Sequence, residues 1–114
     1  MYNMIAEEDG GMDQLRRGVA EYCVLAVLKG DEHYGFDLAR KLAELRIVAS
    51  EGTIYPLLAR LRREGLVSTQ WRESALGPPR RYYILTTAGD QVLQQFRERW
   101  RIFREIVDSL LGTK

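Results

Sequence analysis

The segment Ser50–Gly65, SEGTIYPLLARLRREG, leaves this chain few alternatives. Ile54, Leu57, Leu58 and Leu61 recur with the helical period, so one apolar stripe must be buried along one side of a helix. Ser50 suits the N-cap, where a hydroxyl accepts a bond from a first-turn N–H, and Gly65 suits the left-handed residue just past the end. Pro56 forbids ideal geometry in the preceding turn, so a distorted start is expected over Gly52–Tyr55, with Tyr55 aimed outward. The face away from the stripe carries Thr53, Tyr55, Arg60 and Arg63. Hydroxyls and guanidiniums on one face suit base edges and phosphates, although the same face also describes an ordinary solvated helix.

Past Gly65 the apolar spacing drops to two. Val67, Thr69 and Trp71 alternate with Ser68, Gln70 and Arg72, and Arg80–Leu85 (RRYYIL) is a second strand-like run. Glu73–Pro79, ESALGPP, lies between them as a turn-rich connection that continues neither strand, giving a hairpin with a long tip.

Upstream, Asp13 is positioned to cap a helix running to about Lys29, with Gly30 ending it. Val19, Tyr22, Cys23, Ala26 and Val27 follow one face; Leu15, Val24, Leu25 and Leu28 add a second, so this helix is expected to be buried on more than one side. A second helix is predicted from about Tyr34 to Arg46, with Phe36, Leu38, Leu42 and Leu45 inward. The short connection Ile47–Ala49 then leads into the Ser50 helix. Two helices so joined make a helix-turn-helix, and a hairpin directly after it makes the wing of a winged helix.

Thr86 or Thr87 is placed to cap a last long helix. Leu93, Phe96, Trp100, Phe103, Val107 and Leu110 are spaced 3, 4, 3, 4, 3, an a/d seam widened by Ile102 and Ile106. A domain this small has few partners left to cover so long a seam, so it is expected to close a homodimer, together with the partner's first helix. The chain thus divides into a loose arm at 1–12, a winged helix-turn-helix at 13–85 and a dimerisation helix at 86–114: mainly α with a small β-hairpin.

Composition narrows the function. A net charge of +1 does not announce a nucleic-acid binder, so any such reading rests on local distribution. From Ser50 to Arg81 the bases are Arg60, Arg62, Arg63, Arg72, Arg80 and Arg81, against Glu51, Glu64 and Glu73. The first fourteen residues hold Glu7, Glu8, Asp9 and Asp13 and no base. Cys23 is the only cysteine, so no intrachain disulfide forms; it fits a reducing, cytoplasmic setting and a packed apolar role. His33 is the only histidine, without partners at metal spacing, and no membrane span or signal peptide is evident. No nucleophile stands beside a base and no glycine loop cradles phosphate, so the chain is read as non-enzymatic, with no cofactor and no metal.

Several segments together resemble the PadR family of bacterial transcriptional regulators. They are Tyr34-Gly35-Phe36-Asp37-Leu38, Gly52-Thr53-Ile54-Tyr55-Pro56-Leu57-Leu58, Leu61 with Glu64-Gly65-Leu66-Val67, and Gly77-Pro78-Pro79-Arg80-Arg81-Tyr82-Tyr83-Ile84-Leu85-Thr86 followed by Gly89. The match runs from about Leu15 onward, and the single last helix is similar to the short subclass. The resemblance implies a dimeric repressor on double-stranded, palindromic operator DNA. The third helix would enter the major groove, and the wing tip would rest on the adjacent backbone or minor groove. Tyr34 would touch phosphate, Thr53 and Tyr55 would lie at the helix start against DNA, and Arg80 and Arg81 would hold the wing; the helix itself adds Ser50 at its start and Arg60 and Arg63 on its outward face as candidate DNA contacts. Some short members bind flat aromatic compounds between their last helices, where Trp100, with Phe96, would be the contact. Two departures stand out: Ile84 occupies a position often basic in the family, and Pro79 stiffens the wing. The alternative is a winged-helix module that binds protein and does not read DNA.

Overall fold

The computed structural model describes residues 4–113. In order it contains α1 (Met4–Gly30), β1 (His33–Tyr34), α2 (Gly35–Glu44), a 3₁₀ turn (Glu51–Thr53), α3 (Ile54–Arg63), β2 (Val67–Ser74), β3 (Gly77–Leu85) and α4 (Thr87–Leu111). The three strands form one antiparallel sheet in the order β1-β3-β2. This is a winged helix-turn-helix followed by one long helix.

The core forms where the apolar stripes meet. Val24, Leu25 and Leu28 of α1, Leu38 and Leu42 of α2, and Ile54, Leu58 and Leu61 of α3 are buried together. Val67 and Tyr83 close the core from the sheet and Leu93 closes it from α4. Each such side chain contributes about 1.5–3 kcal/mol on leaving water, so the stripes determine how the helices stack.

Several details differ from expectation. α1 starts at Met4, not Asp13, so the expected arm is helical over its described part; residues 1–3 lie outside the described residues. Asp13 is therefore inside the helix, where it pairs with Arg16 at 2.8 Å. α2 ends at Glu44 because Arg46 turns the chain in a left-handed conformation, φ 61°. That early end leaves Leu45 exposed, and Phe36 is exposed at the helix start, so neither joins the core. The distorted start of the third helix is present as the 3₁₀ turn. Ser50 does not cap it through its side chain; its carbonyl instead accepts from Thr53 Oγ1 at 2.8 Å. Gly65 is left-handed at φ 76°, as a helix-ending glycine requires.

The wing is tighter than ESALGPP suggested. Ser74 pairs with Gly77, so the tip is only Ala75-Leu76, and Glu73 and Pro78-Pro79 belong to the strands. The register shifts between Arg72 and Ser74, opposite the prolines that cannot donate to the ladder. β1, two residues long, pairs His33 with Tyr83 and Tyr34 with Tyr82. α4 is capped by Thr86, whose Oγ1 accepts from Gly89 N at 3.0 Å and donates to the Gly65 carbonyl at 2.7 Å. Gly89 sits so close to the backbone of Leu66 that a Cβ would overlap the Leu66 carbonyl oxygen. No helix among the described residues is long and apolar enough to cross a membrane.

Candidate nucleic-acid interface

One side of α3 faces the wing across a groove lined by Tyr55, Ala59, Arg62, Arg63, Arg81 and Tyr83. The helical members stand at i, i+4, i+7 and i+8, which places them on one face. Against it lies a second depression, reaching Tyr34 and Phe36 at the start of α2 and Trp71 on β2, and sharing Tyr55, Arg81 and Tyr83 with the first. Three elements therefore converge on the Tyr55–Arg81–Tyr83 junction. Tyr83 is buried there, and its ring lies against Gly35, where a Cβ would come within 3.0 Å of it.

The wing arginines are held by aromatic rings. Arg81 lies over Trp71 at 4.9 Å from the ring centroid, Arg80 over Tyr34 at 4.7 Å and Arg72 over Tyr82 at 5.0 Å. Such stacking fixes a planar guanidinium and leaves its edge free to donate. The three are not equivalent. Arg72 is ion-paired with Glu32, whereas Arg80 and Arg81 form no ion pair among the described residues. Arg81 Nε is buried without a hydrogen-bond partner. The Tyr55 phenol is held above its ordinary pKa, first by desolvation and then by the Glu51 carboxylate, and so stays a neutral donor.

Of the candidate residues, Tyr34, Tyr55, Arg63, Arg80 and Arg81 share this face or its rim. Thr53 and Ser50 lie at the exposed start of the helix, with the Thr53 hydroxyl donating to Ser50. Arg60 is elsewhere: it pairs with Glu64 at 3.2 Å and with Glu21 of α1 at 3.6 Å, and does not line the groove. The Glu64 hydrogen bond, followed by the Glu21 charge, raises its pKa. Arg62, counted only in the local charge, and Tyr83 of the groove, with Trp71 of the adjoining depression, were not among the residues the sequence assigned to this face. Arg62 was within reach, since it stands seven residues from Tyr55 and hence on Tyr55's own line.

The α4 seam also divides. Leu93, expected at a dimer interface, is 2% exposed and belongs to the chain's own core. Phe96 stacks on Tyr22 of α1, centroids 3.8 Å apart with rings nearly parallel, and Trp100 and Phe103 continue the ladder at 5.9 and 6.5 Å. Beyond Phe96 most apolar side chains are outward: Trp100 is 42% and Leu110 82% exposed, with Phe103 and Ile106 between them. Val107 is half-buried. Cys23 packs against the core, and burial pushes its thiol pKa up, as befits an inert packed residue.

Fold and surface together define a winged helix-turn-helix transcriptional regulator. The model of the transcriptional regulator PadR-like family matches residues 24–95, and the chain belongs to that family. It is a family of transcriptional regulators, not of enzymes. A PadR-like regulator from Bacillus cereus is 38% identical, with a TM-score of 0.78 over 89% of this chain and 99% of that one. A PadR family regulator from Eggerthella lenta is 33% identical, with a TM-score of 0.80 over 96% and 99%. A transcriptional regulator of Mycobacterium tuberculosis is 31% identical over 101 residues, 89% of this chain and 91% of the relative.

Proposed function

We infer that the chain acts as a homodimer that binds double-stranded operator DNA and represses transcription until a signal relieves it. The observation that carries this reading is the groove in which α3 and the wing bring Tyr55, Arg62, Arg63 and Arg81 to one face. Guanidiniums fixed by ring stacking suit phosphate oxygens, while a helix face with Tyr55 and Thr53 at its start suits base edges. The exposed apolar strip on α4, with Met12 and Leu15 exposed on α1, supplies a surface for a second copy. A two-fold axis through that seam would set the two α3 helices for half-sites about one DNA turn apart, roughly 10 bp.

Relief would act on that spacing. A flat aromatic ligand wedged beside Trp100 and Phe96 would favour one separation of the two α3 helices and weaken DNA binding by its preference for that state. Trp100→Ala tests this: an aromatic dye that still binds an intact dimer of this variant removes Trp100 from the ligand site.

Fluorescence anisotropy on a duplex from upstream of the chain's own gene, against a scrambled duplex, tests the DNA reading. Tight binding that prefers the native sequence and falls with salt is expected. Equal, weak binding to both would leave only generic basic contacts and favour a protein-interaction module, to which the net charge of +1 is suited.

A further inference from the structure

Another concavity shares no residue with the two depressions beside the wing or with the α4 seam, and meets the proposed DNA-facing set only at Thr53. It is a half-open cleft of about 280 Å³ where α1 faces the connection between α2 and α3. Its apolar lining is Ala20, Ile47, Val48, Ala49 and Leu57. No aromatic side chain lines it among the described residues, so it offers no ring for stacking, unlike the Trp100 ladder. Its polar lining is Asp13, Arg16, Arg17 and Thr53, the Asp13 carboxylate being neutralised by Arg16. Arg16 is committed: its Nε donates to the Arg46 carbonyl at 2.8 Å and its Nη1 to Asp13 at 2.8 Å. Arg17 is exposed and forms no hydrogen bond or ion pair among the described residues, since Asp13 is taken by Arg16 and Glu21 by Arg60.

We propose that this cleft binds an aliphatic monocarboxylate, its chain on Ala20, Ile47, Val48 and Leu57 and its carboxylate on Arg17. An aliphatic floor with one uncommitted guanidinium at its rim is complementary to that chemistry: the floor takes methylenes and the guanidinium takes both carboxylate oxygens. The position gives the site leverage. Arg16 ties α1 to Arg46, the left-handed residue that ends α2, and the opposite wall includes Leu57 of α3. A chain seated there bears on the Arg16–Arg46 link and on α3 together, so it shifts the pose of α3 without touching the seam. This regulatory consequence rests on the DNA reading above; the binding itself does not.

Isothermal titration of the full chain with octanoate tests the site, with octylammonium as the probe of equal tail and opposite charge. Octanoate is expected to bind and octylammonium not. Arg17→Gln should weaken octanoate about tenfold or more, as loss of a charge-assisted contact does, and Arg17→Lys should restore part of it. Ala49→Trp, at an exposed position on the connection, should block the cleft while thermal unfolding stays unchanged, and Trp100→Ala should leave binding intact. No octanoate binding, equal binding of octylammonium, or binding that survives Arg17→Gln and Ala49→Trp but is lost in Trp100→Ala would overturn the proposal. Octanoate should also change duplex affinity in the parent chain and not in Ala49→Trp. A cleft that binds octanoate in a chain that binds no duplex would sink the DNA reading alone.

Discussion

Gly89 shows how narrowly one residue can be constrained. Its missing Cβ lets the first turn of α4 lie directly on the Leu66 backbone, where a methyl group would meet a carbonyl oxygen and the Leu85 side chain. Gly89→Ala should therefore destabilise the chain by about 1–3 kcal/mol, despite the better helix propensity of alanine, and a lowered thermal midpoint would register it. One residue further, the Asp90 carboxyl is held below its ordinary pKa, first by the Gln94 amide at 3.1 Å and then by the Lys29 ammonium at 3.0 Å. A depressed folded-state pKa stabilises the fold above the unfolded value, and that contribution is lost as pH falls through the folded one. Asp90→Asn should thus lower the thermal midpoint at neutral pH, with the difference from the parent chain closing in strong acid. Arg60 carries the complementary lesson. Residue type and helical phase placed it on the outward face, but Glu21, 39 positions earlier in the chain, draws it toward α1. No local pattern contains that pairing.

At the scale of elements, legibility followed the range of the deciding interactions. α3 was readable because its stripe, its proline and its closing glycine are local signals, and the 3₁₀ start follows from Pro56 alone. The wing was readable as a hairpin, but its tip was not. Two prolines and a glycine signalled a loop, whereas the register shift beside Arg72 lets them continue β3. β1 was illegible because two residues become a strand only when Tyr82 and Tyr83 are brought alongside. The inward placement of Leu45 failed because α2 ends at Glu44, and that of Phe36 because the buried face of α2 runs through Leu38, Ala39 and Leu42 and leaves the first-turn Phe36 outside it. The joint between wing and last helix rests on Thr86, which caps α4 and bonds Gly65 at once. Thr86→Ala should cost about 1–2 kcal/mol and Thr86→Ser much less, as chemical denaturation would register.

At the scale of the whole molecule, the α4 pattern held two meanings in one repeat. Leu93 and Phe96 serve the chain's own fold, and the outward run from Trp100 to Leu110 is left for another surface. A heptad seam cannot reveal where that change of partner falls, because spacing is the same on both sides of it. Phe103→Asp, at a site exposed in the single chain, should convert a dimer to a monomer in sedimentation equilibrium with little change in helix content. A persisting dimer would place the interface elsewhere.

On the proposed reading, α3 and the wing present one DNA-facing groove, from which Arg60 is excluded by its pairing with Glu21 and Glu64. The salt dependence of operator binding by Arg62→Ala, Arg81→Ala and Arg60→Ala puts that groove to the test. Arg62→Ala and Arg81→Ala should each weaken binding, any phosphate contact among them lowering the log–log salt slope by about 1, while Arg60→Ala should leave both affinity and slope nearly unchanged. Loss on Arg60→Ala with indifference to Arg62 and Arg81 would contradict it.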